Sequence, residues 1–236
     1  MISTLKKYHH FQASKWLAEF LGTFAIVFFG CGSLMVHQRF GWAVDPHFVP
    51  LIFGLTVSTM IYTLGHISGA HFNPAVTLGF VIGRHFPFRE MLSYWSAQFL
   101  GAISAAIILY LLLPAGNEFG ATTPHLPALK ALGWEILLTF FLMVVIMAVA
   151  TDTRVIGVIA GAAIGMIVAL NAFLGGPLTG ASMNPARSLA PALFQGGVGQ
   201  LWIYFLGPFI GSAGGALFYR WIRCDSESTK DAAGCC

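Results

Sequence analysis

The sequence predicts an all-α membrane protein, with six transmembrane helices and two re-entrant half-helices arranged as an inverted repeat. Three observations carry that expectation. The chain is 57% hydrophobic and 9% charged, whereas a soluble domain carries about 25% charged residues. Six apolar segments approach the roughly 20 residues that a helix needs to cross a bilayer. The tripeptide Asn-Pro-Ala occurs twice, as Asn73-Pro74-Ala75 and Asn184-Pro185-Ala186, at an offset of 111 residues. Its surroundings match at Gly69/Gly180, Ala70/Ala181 and Leu78/Leu189. A duplicated, Gly/Pro-interrupted segment in so apolar a chain points to a transport site between two repeats.

Taken in order, the spans fall near Trp16–Val36, Val49–His66, Glu90–Leu113, Ala131–Ala150, Val155–Leu174 and Val198–Ile222. The N-terminal lysines Lys6, Lys7 and Lys15 resemble the start of a signal peptide. The apolar run after them is of spanning length and ends in no small-residue cleavage site, so it reads as a retained first helix. Two shorter pieces, Asn73–Gly83 and Asn184–Phe194, have 11 residues each. At 1.5 Å per residue each covers roughly 16 Å, about half a bilayer. They can meet at the midplane if they enter from opposite faces.

The repeat extends beyond the tripeptides. Glu19-Phe20-Leu21-Gly22-Thr23-Phe24 echoes Glu135-Ile136-Leu137-Leu138-Thr139-Phe140, and Phe99-Leu100-Gly101 echoes Phe205-Leu206-Gly207. Each half therefore holds three spans and one half-helix, and an odd number of spans inverts the second half. The chain reads as one channel domain, 1–236, with repeats at about 14–113 and 130–223 and polar tails at 1–13 and 224–236. With both termini cytoplasmic, nine of the 12 Lys and Arg residues lie inside and three, Arg39, Lys130 and Arg187, outside. The positive-inside rule favours that orientation. Gly79/Gly83, Gly161/Gly165 and Gly207/Gly211/Gly215 have the spacing of close helix contacts.

Each Asn-Pro-Ala places a helix start at the midplane. Asn caps with its side-chain oxygen and keeps amide N–H groups to donate, and Pro at the first helical position loses no needed bond. Two helix N-termini, each equivalent to about +0.5 charge, then face one point. A neutral acceptor such as water can bind there, whereas a cation or a hopping proton is disfavoured. Arg187 stands where the first repeat has Val76, and an intramembrane Arg is costly enough to indicate function. Glu19 and Glu135, equivalent by the repeat, read as acceptors for loop N–H groups; proton coupling is the alternative. His66 and His71 are candidate lining residues of the first loop rather than metal ligands. The cysteines Cys31, Cys224, Cys235 and Cys236 have no metal-site spacing. Cys235-Cys236 invites a lipidation reading, and Ser226, Ser228 and Thr229 are possible phosphorylation sites.

The duplicated Asn-Pro-Ala, the Arg after its second copy, Ala-Glu-Phe-Leu-Gly-Thr in the first span, and Gly-His-Ile-Ser-Gly-Ala-His-Phe-Asn-Pro-Ala-Val-Thr resemble the aquaporin, or major intrinsic protein, family. The resemblance runs through nearly the whole chain outside the tails. It implies an aquaporin-like homotetramer with a pore in each subunit and a narrow filter of four positions, here Phe53, Ala172, Ala181 and Arg187. Strict water channels place His where this chain has Ala172. The run from Leu170 to Met183 looks more like the nodulin-type intrinsic proteins of plants and their bacterial relatives. Those resemble pores for water, glycerol and uncharged metalloid hydroxides. Two residues depart from these patterns: Phe53 where many nodulin-type members carry Trp, and Ser188 where glycerol facilitators commonly carry Asp.

The expectation is a passive channel for water and small neutral solutes such as glycerol and boric or arsenious acid. It involves no cofactor, no metal, no nucleic acid and no catalytic constellation, and it sits in a lipid bilayer, in the cell membrane. The rivals are a strict water channel, a proton-coupled transporter dependent on Glu19 or Glu135, and a structural junction protein without permeability.

Overall fold

The computed structural model describes residues 2–41, 45–114, 119–151 and 159–223, with residues 2–11 described by their backbone alone. Among these residues the regular structure is helical throughout. Helices α1 (Ile2–Ala25) and α2 (Gly32–Phe40) are joined without a break by a π-helical stretch, Ile26–Cys31, so that Gln12–Phe40 makes one long span. Then come α3 (Val49–Ser68), the short α4 (Pro74–Ile82) and α5 (Phe88–Leu112). The second half repeats the pattern with α6 (Ala128–Thr151), α7 (Ala160–Thr179), the short α8 (Pro185–Gln195) and α9 (Leu201–Ile222). Among the described residues six helices are long and apolar enough to cross a membrane, and α4 and α8 are not among them. The expected spans and half-helices are all present, with shifted ends.

The largest shift is at α7. The sequence places that span at Val155–Leu174, and residues 152–158 lie outside the described ones. The helix runs on past Leu174, through Gly175, Gly176 and Pro177, to Thr179. It stops at Gly180, which takes the left-handed φ of +84°. A proline in a helix loses one backbone hydrogen bond, yet the helix carries Pro177 within its last turn. Lys6, Lys7, Arg154, Cys224, Ser226, Ser228, Thr229, Lys230, Cys235 and Cys236 have side chains outside the described residues.

Packing follows the repeat. The first span of each half packs extensively on the third, α1 on α5 and α6 on α9, and the two middle spans, α3 and α7, pack on each other. Each half-helix also leans on the last span of the other half, α4 on α9 and α8 on α5. The halves are thus interlocked. Glycines permit the closest approaches. A Cβ on Gly54 would overlap Gly165 O, and one on Gly165 would fall 2.5 Å from Gly54 O, so α3 and α7 touch backbone to backbone. Gly211 and Gly215 likewise lie against Ile136 O and Phe140 O of α6. The small-residue spacing read from the sequence marks these contacts, which lipid cannot drive and close packing must.

Candidate functional site

The half-helices begin at the tripeptides. Asn73 and Asn184 are extended N-caps, and their Oδ1 atoms accept from Ala75 N–H at 2.9 Å and from Ala186 N–H at 3.0 Å. The remaining side-chain N–H groups cross between the halves. Asn73 Nδ2 donates to Met183 O at 2.7 Å, and Asn184 Nδ2 donates to Phe72 O at 3.0 Å. Each amide has two hydrogens, so each keeps one for the cavity that both residues line.

The loops ahead of the caps are held in an unusual conformation. Ala70, Phe72, Ala181 and Met183 all have positive φ, which costs each non-glycine residue on the order of 1–3 kcal/mol. Buried carboxylates impose it. Glu19 Oε1 accepts from Ser68 Oγ and His71 N–H at 2.7 and 2.9 Å, and Oε2 from Phe72 N–H and Gln98 Nε2 at 2.7 and 2.8 Å. Glu135 Oε1 accepts from Thr179 Oγ1 and Ser182 N–H at 2.7 and 2.9 Å, and Oε2 from Met183 N–H at 2.9 Å. Four hydrogen bonds therefore converge on Glu19 and three on Glu135. With the N–H groups of 71 and 72 turned to Glu19, the carbonyls of Ala70 and His71 point the opposite way. Residues 69–72 line the cavity. A row of acceptors therefore runs towards the paired asparagine donors.

Tyrosine hydroxyls finish the helix ends before these loops. Tyr94 Oη donates to Ser68 O at 2.7 Å, and Tyr204 Oη to Thr179 O at 2.6 Å. Ser68 and Thr179 are equivalent in the repeat, but the tyrosines are not: Gln98 stands at the position that corresponds to Tyr204. The sequence reading missed Gln98, Tyr94 and Tyr204; the signal for all three was a polar group inside an apolar span.

Two cavities meet end to end. The narrow one, about 110 Å³, runs past both asparagines between apolar walls that include Val57, Leu142, Ile146 and Val168. The wide one, about 600 Å³, is bounded by polar groups that include Gln38, His47, Thr123, His125 and Gln195. Four residues line both: Phe53, Ala172, Ala181 and Arg187. Arg187 is 3% exposed. Its guanidinium carbon lies 5.1 Å from the centre of the Phe53 ring, and Nη1 donates to Gly120 O at 2.9 Å. Gly30, in the π-helical stretch, makes room for Phe53, since any Cβ there would overlap the ring. At the rim of the wide cavity, Asp45 accepts from the His47 backbone N–H and lies 2.7 Å from its ring nitrogen. Those bonds hold the Asp45 carboxyl below its usual range.

The structure separates the two histidines. His71 lines the narrow cavity, with Nδ1 3.1 Å from Thr77 Oγ1 and its ring stacked on Phe80. The Thr77 hydroxyl donates to Asn73 O at 3.1 Å, so it accepts from His71 Nδ1–H and leaves Nε2 as the bare nitrogen. His66 departs from expectation. It lies exposed in the last turn of α3 and lines neither cavity. The 3.6-residue period turns it off the face that carries Phe53, Val57 and Ile61. Cys31 is a buried free thiol, and among the described residues no group of three metal-ligating side chains could hold an ion.

Comparison with known proteins agrees with this architecture. The family model described as "Major intrinsic protein" matches residues 5–219. Nodulin-26 of Glycine max is 44% identical over 224 residues, covering 93% of this chain and 83% of that protein. The putative aquaporin NIP4-1 of Arabidopsis thaliana is 46% identical over 219 residues, covering 92% and 77%. The X-ray structure of the aquaglyceroporin from Plasmodium falciparum superposes with a TM-score of 0.81 at 26% identity, covering 90% of this chain and 97% of that one. With its matched motifs, six apolar spans and two capped half-helices, the chain belongs to the major intrinsic protein family of membrane channels for water and small solutes.

Proposed function

We propose that the chain is a passive pore for water and for small uncharged solutes of glycerol size, neutral metalloid hydroxides such as boric and arsenious acid among them, and that it excludes protons and ions. The observation that carries this reading is the junction of the two cavities at Phe53, Ala172, Ala181 and Arg187. One aromatic wall and one donor-rich cation face two alanines. The alanines leave width and add no hydrogen bond, so a carbon-backed polyol can lay its apolar side on Phe53 and its hydroxyls on Arg187. Selectivity in such a pore reduces to diameter and lining donors.

Exclusion of charge has two sources in this reading. Arg187 repels cations at the opening. Deeper in, the asparagine amides and two helix N-termini, each worth about +0.5 charge, present only donors. A water whose oxygen accepts from both asparagines turns its hydrogens outward, and no neighbour can pass it a proton. The use of both carboxylates as acceptors for loop N–H groups supports this reading over proton-coupled transport. The working unit is the channel domain, 1–236, with both termini cytoplasmic, and four copies assemble in a cell membrane with one pore each.

Stopped-flow light scattering of proteoliposomes under water, glycerol, boric acid and arsenious acid gradients tests the solute range. Permeability to water and to at least one of the larger solutes above that of protein-free vesicles is expected. Water permeability alone makes the chain a strict water channel with an unusual lining, and the wide-opening reading then fails.

A further inference from the structure

The segment after residue 119 carries no recognisable motif, yet it supplies the one backbone carbonyl that Arg187 grips. What holds that carbonyl in place is a chain of buried hydroxyls. Thr122 Oγ1 lies 2.8 Å from Ser188 Oγ, and Ser188 Oγ lies 2.6 Å from Ser182 Oγ. Ser182 Oγ donates to Asn184 O at 3.0 Å. All three hydroxyl residues are buried, Ser188 completely.

In each of the two hydroxyl pairs either oxygen can donate, and Thr122 also bonds the Tyr204 hydroxyl. The row starts on the loop and ends on the capping asparagine of α8. One residue, Ala121, separates Thr122 from Gly120, which has a φ of +66° and whose carbonyl accepts from Arg187. A Cβ on Gly120 would press on Cys31 at 2.9 Å, and one on Gly180 would come within 3.1 Å of Thr122 Cα, so the segment is wedged between two walls. Phe119 N–H, donating to Gln195 Oε1 at 3.2 Å, tethers it just before Gly120, and His125 N–H, donating to Leu178 O at 3.0 Å, tethers it further along. Thr122 is the side-chain tether that follows Gly120.

We infer that Thr122, through Ser188, is a positioning residue for selectivity: its hydroxyl fixes Gly120 O and thereby parks the Arg187 guanidinium against Phe53, clear of the opening. The neighbouring side chains at 172 and 181 are alanines, so nothing else blocks a released guanidinium from swinging into the gap. Loss of the tether narrows the opening, and large solutes suffer before water does. The consequence for solutes rests on the wide-opening reading; the parking of Arg187 does not.

The test compares the full chain with Thr122→Val, Ser188→Ala and Thr122→Ser in proteoliposomes, with two readouts. The first is the rate at which phenylglyoxal modifies Arg187, followed by peptide mass spectrometry with the exposed Arg84 as internal reference. The second is the glycerol-to-water permeability ratio. The loss of one neutral hydrogen bond predicts a rise in Arg187 modification of roughly threefold or more in Thr122→Val and Ser188→Ala. The permeability ratio falls by a similar factor, and Thr122→Ser behaves as the parent on both. Modification rates equal to the parent in either hydroxyl-deleted variant overturn the inference. So does failure of Thr122→Ser to restore the parent rate, or an equal fall in water and glycerol flux. If Thr122→Val does not fold, Ser188→Ala decides, because it cuts the same row from the half-helix side. If the parent passes no glycerol, the wide-opening reading fails while the modification rates still judge the tether.

Discussion

Glu19 accepts four hydrogen bonds and Glu135 three, and the difference has a measurable consequence. Replacing either by Gln turns one acceptor oxygen into a donor facing buried donors. Bonds to a charged acceptor contribute about 1.5–3 kcal/mol each, so both substitutions lower the melting temperature in detergent, Glu19→Gln the more. Neither changes the pH dependence of flux; a lost pH-driven uptake would instead reveal proton coupling. At the opening, Ala172→His adds bulk and a polar group to the side now left open. The glycerol-to-water ratio then falls on the order of tenfold, a difference of about 1.4 kcal/mol between two barriers. An unchanged ratio removes residue 172 from the constriction. Residues of this kind are legible in sequence where a local motif or the repeat marks them, as with both asparagines, Arg187 and both glutamates. Thr122 and Gly120 are not, because their meaning lies in contacts with Ser188 and Arg187, far along the chain. His66 misled because its closeness in sequence to the loop says nothing about the helix face on which it falls.

Among elements, the spans announce themselves by length and hydropathy, and the half-helices by being too short. Their ends are harder to read. Gly175-Gly176-Pro177 carries every mark of a stop in water, but α7 continues through it to Thr179 and ends only at Gly180, which takes a left-handed φ. The π-helical stretch at Ile26–Cys31 has no sequence signature; it is visible only through Gly30, which has to yield space to Phe53. The backbone contact of α3 with α7 offers a direct check on the packing. Gly165→Val forces a side chain onto Gly54 O and Ser58. Overpacking of this sort costs about 1–3 kcal/mol, so folded yield and melting temperature drop, whereas Gly199→Ala, on a glycine with open space around it, leaves both unchanged.

At the scale of the molecule, inversion follows from counting spans, and the structure turns it into geometry: two loops, two carboxylates and two asparagines related pair by pair. The repeat is broken where function needs asymmetry. Val76 lines the narrow cavity alone, while its counterpart Arg187 lines both. Arg187→Val therefore removes a cation barrier on one side only. Cation leak rises roughly tenfold for each 1.4 kcal/mol of barrier lost, with neutral flux retained, as ion-sensitive dyes in proteoliposomes would record; no added leak counts against the filter role. The central claim is that neutral solutes pass where protons do not. It is tested most directly by recording water, glycerol and proton flux together in vesicles loaded with a pH dye. The account predicts water and glycerol permeability well above that of protein-free vesicles, non-saturating and independent of a pH gradient, with proton flux no greater than theirs. Proton flux that rises with solute flux, or saturable uptake driven by a pH gradient, would contradict it.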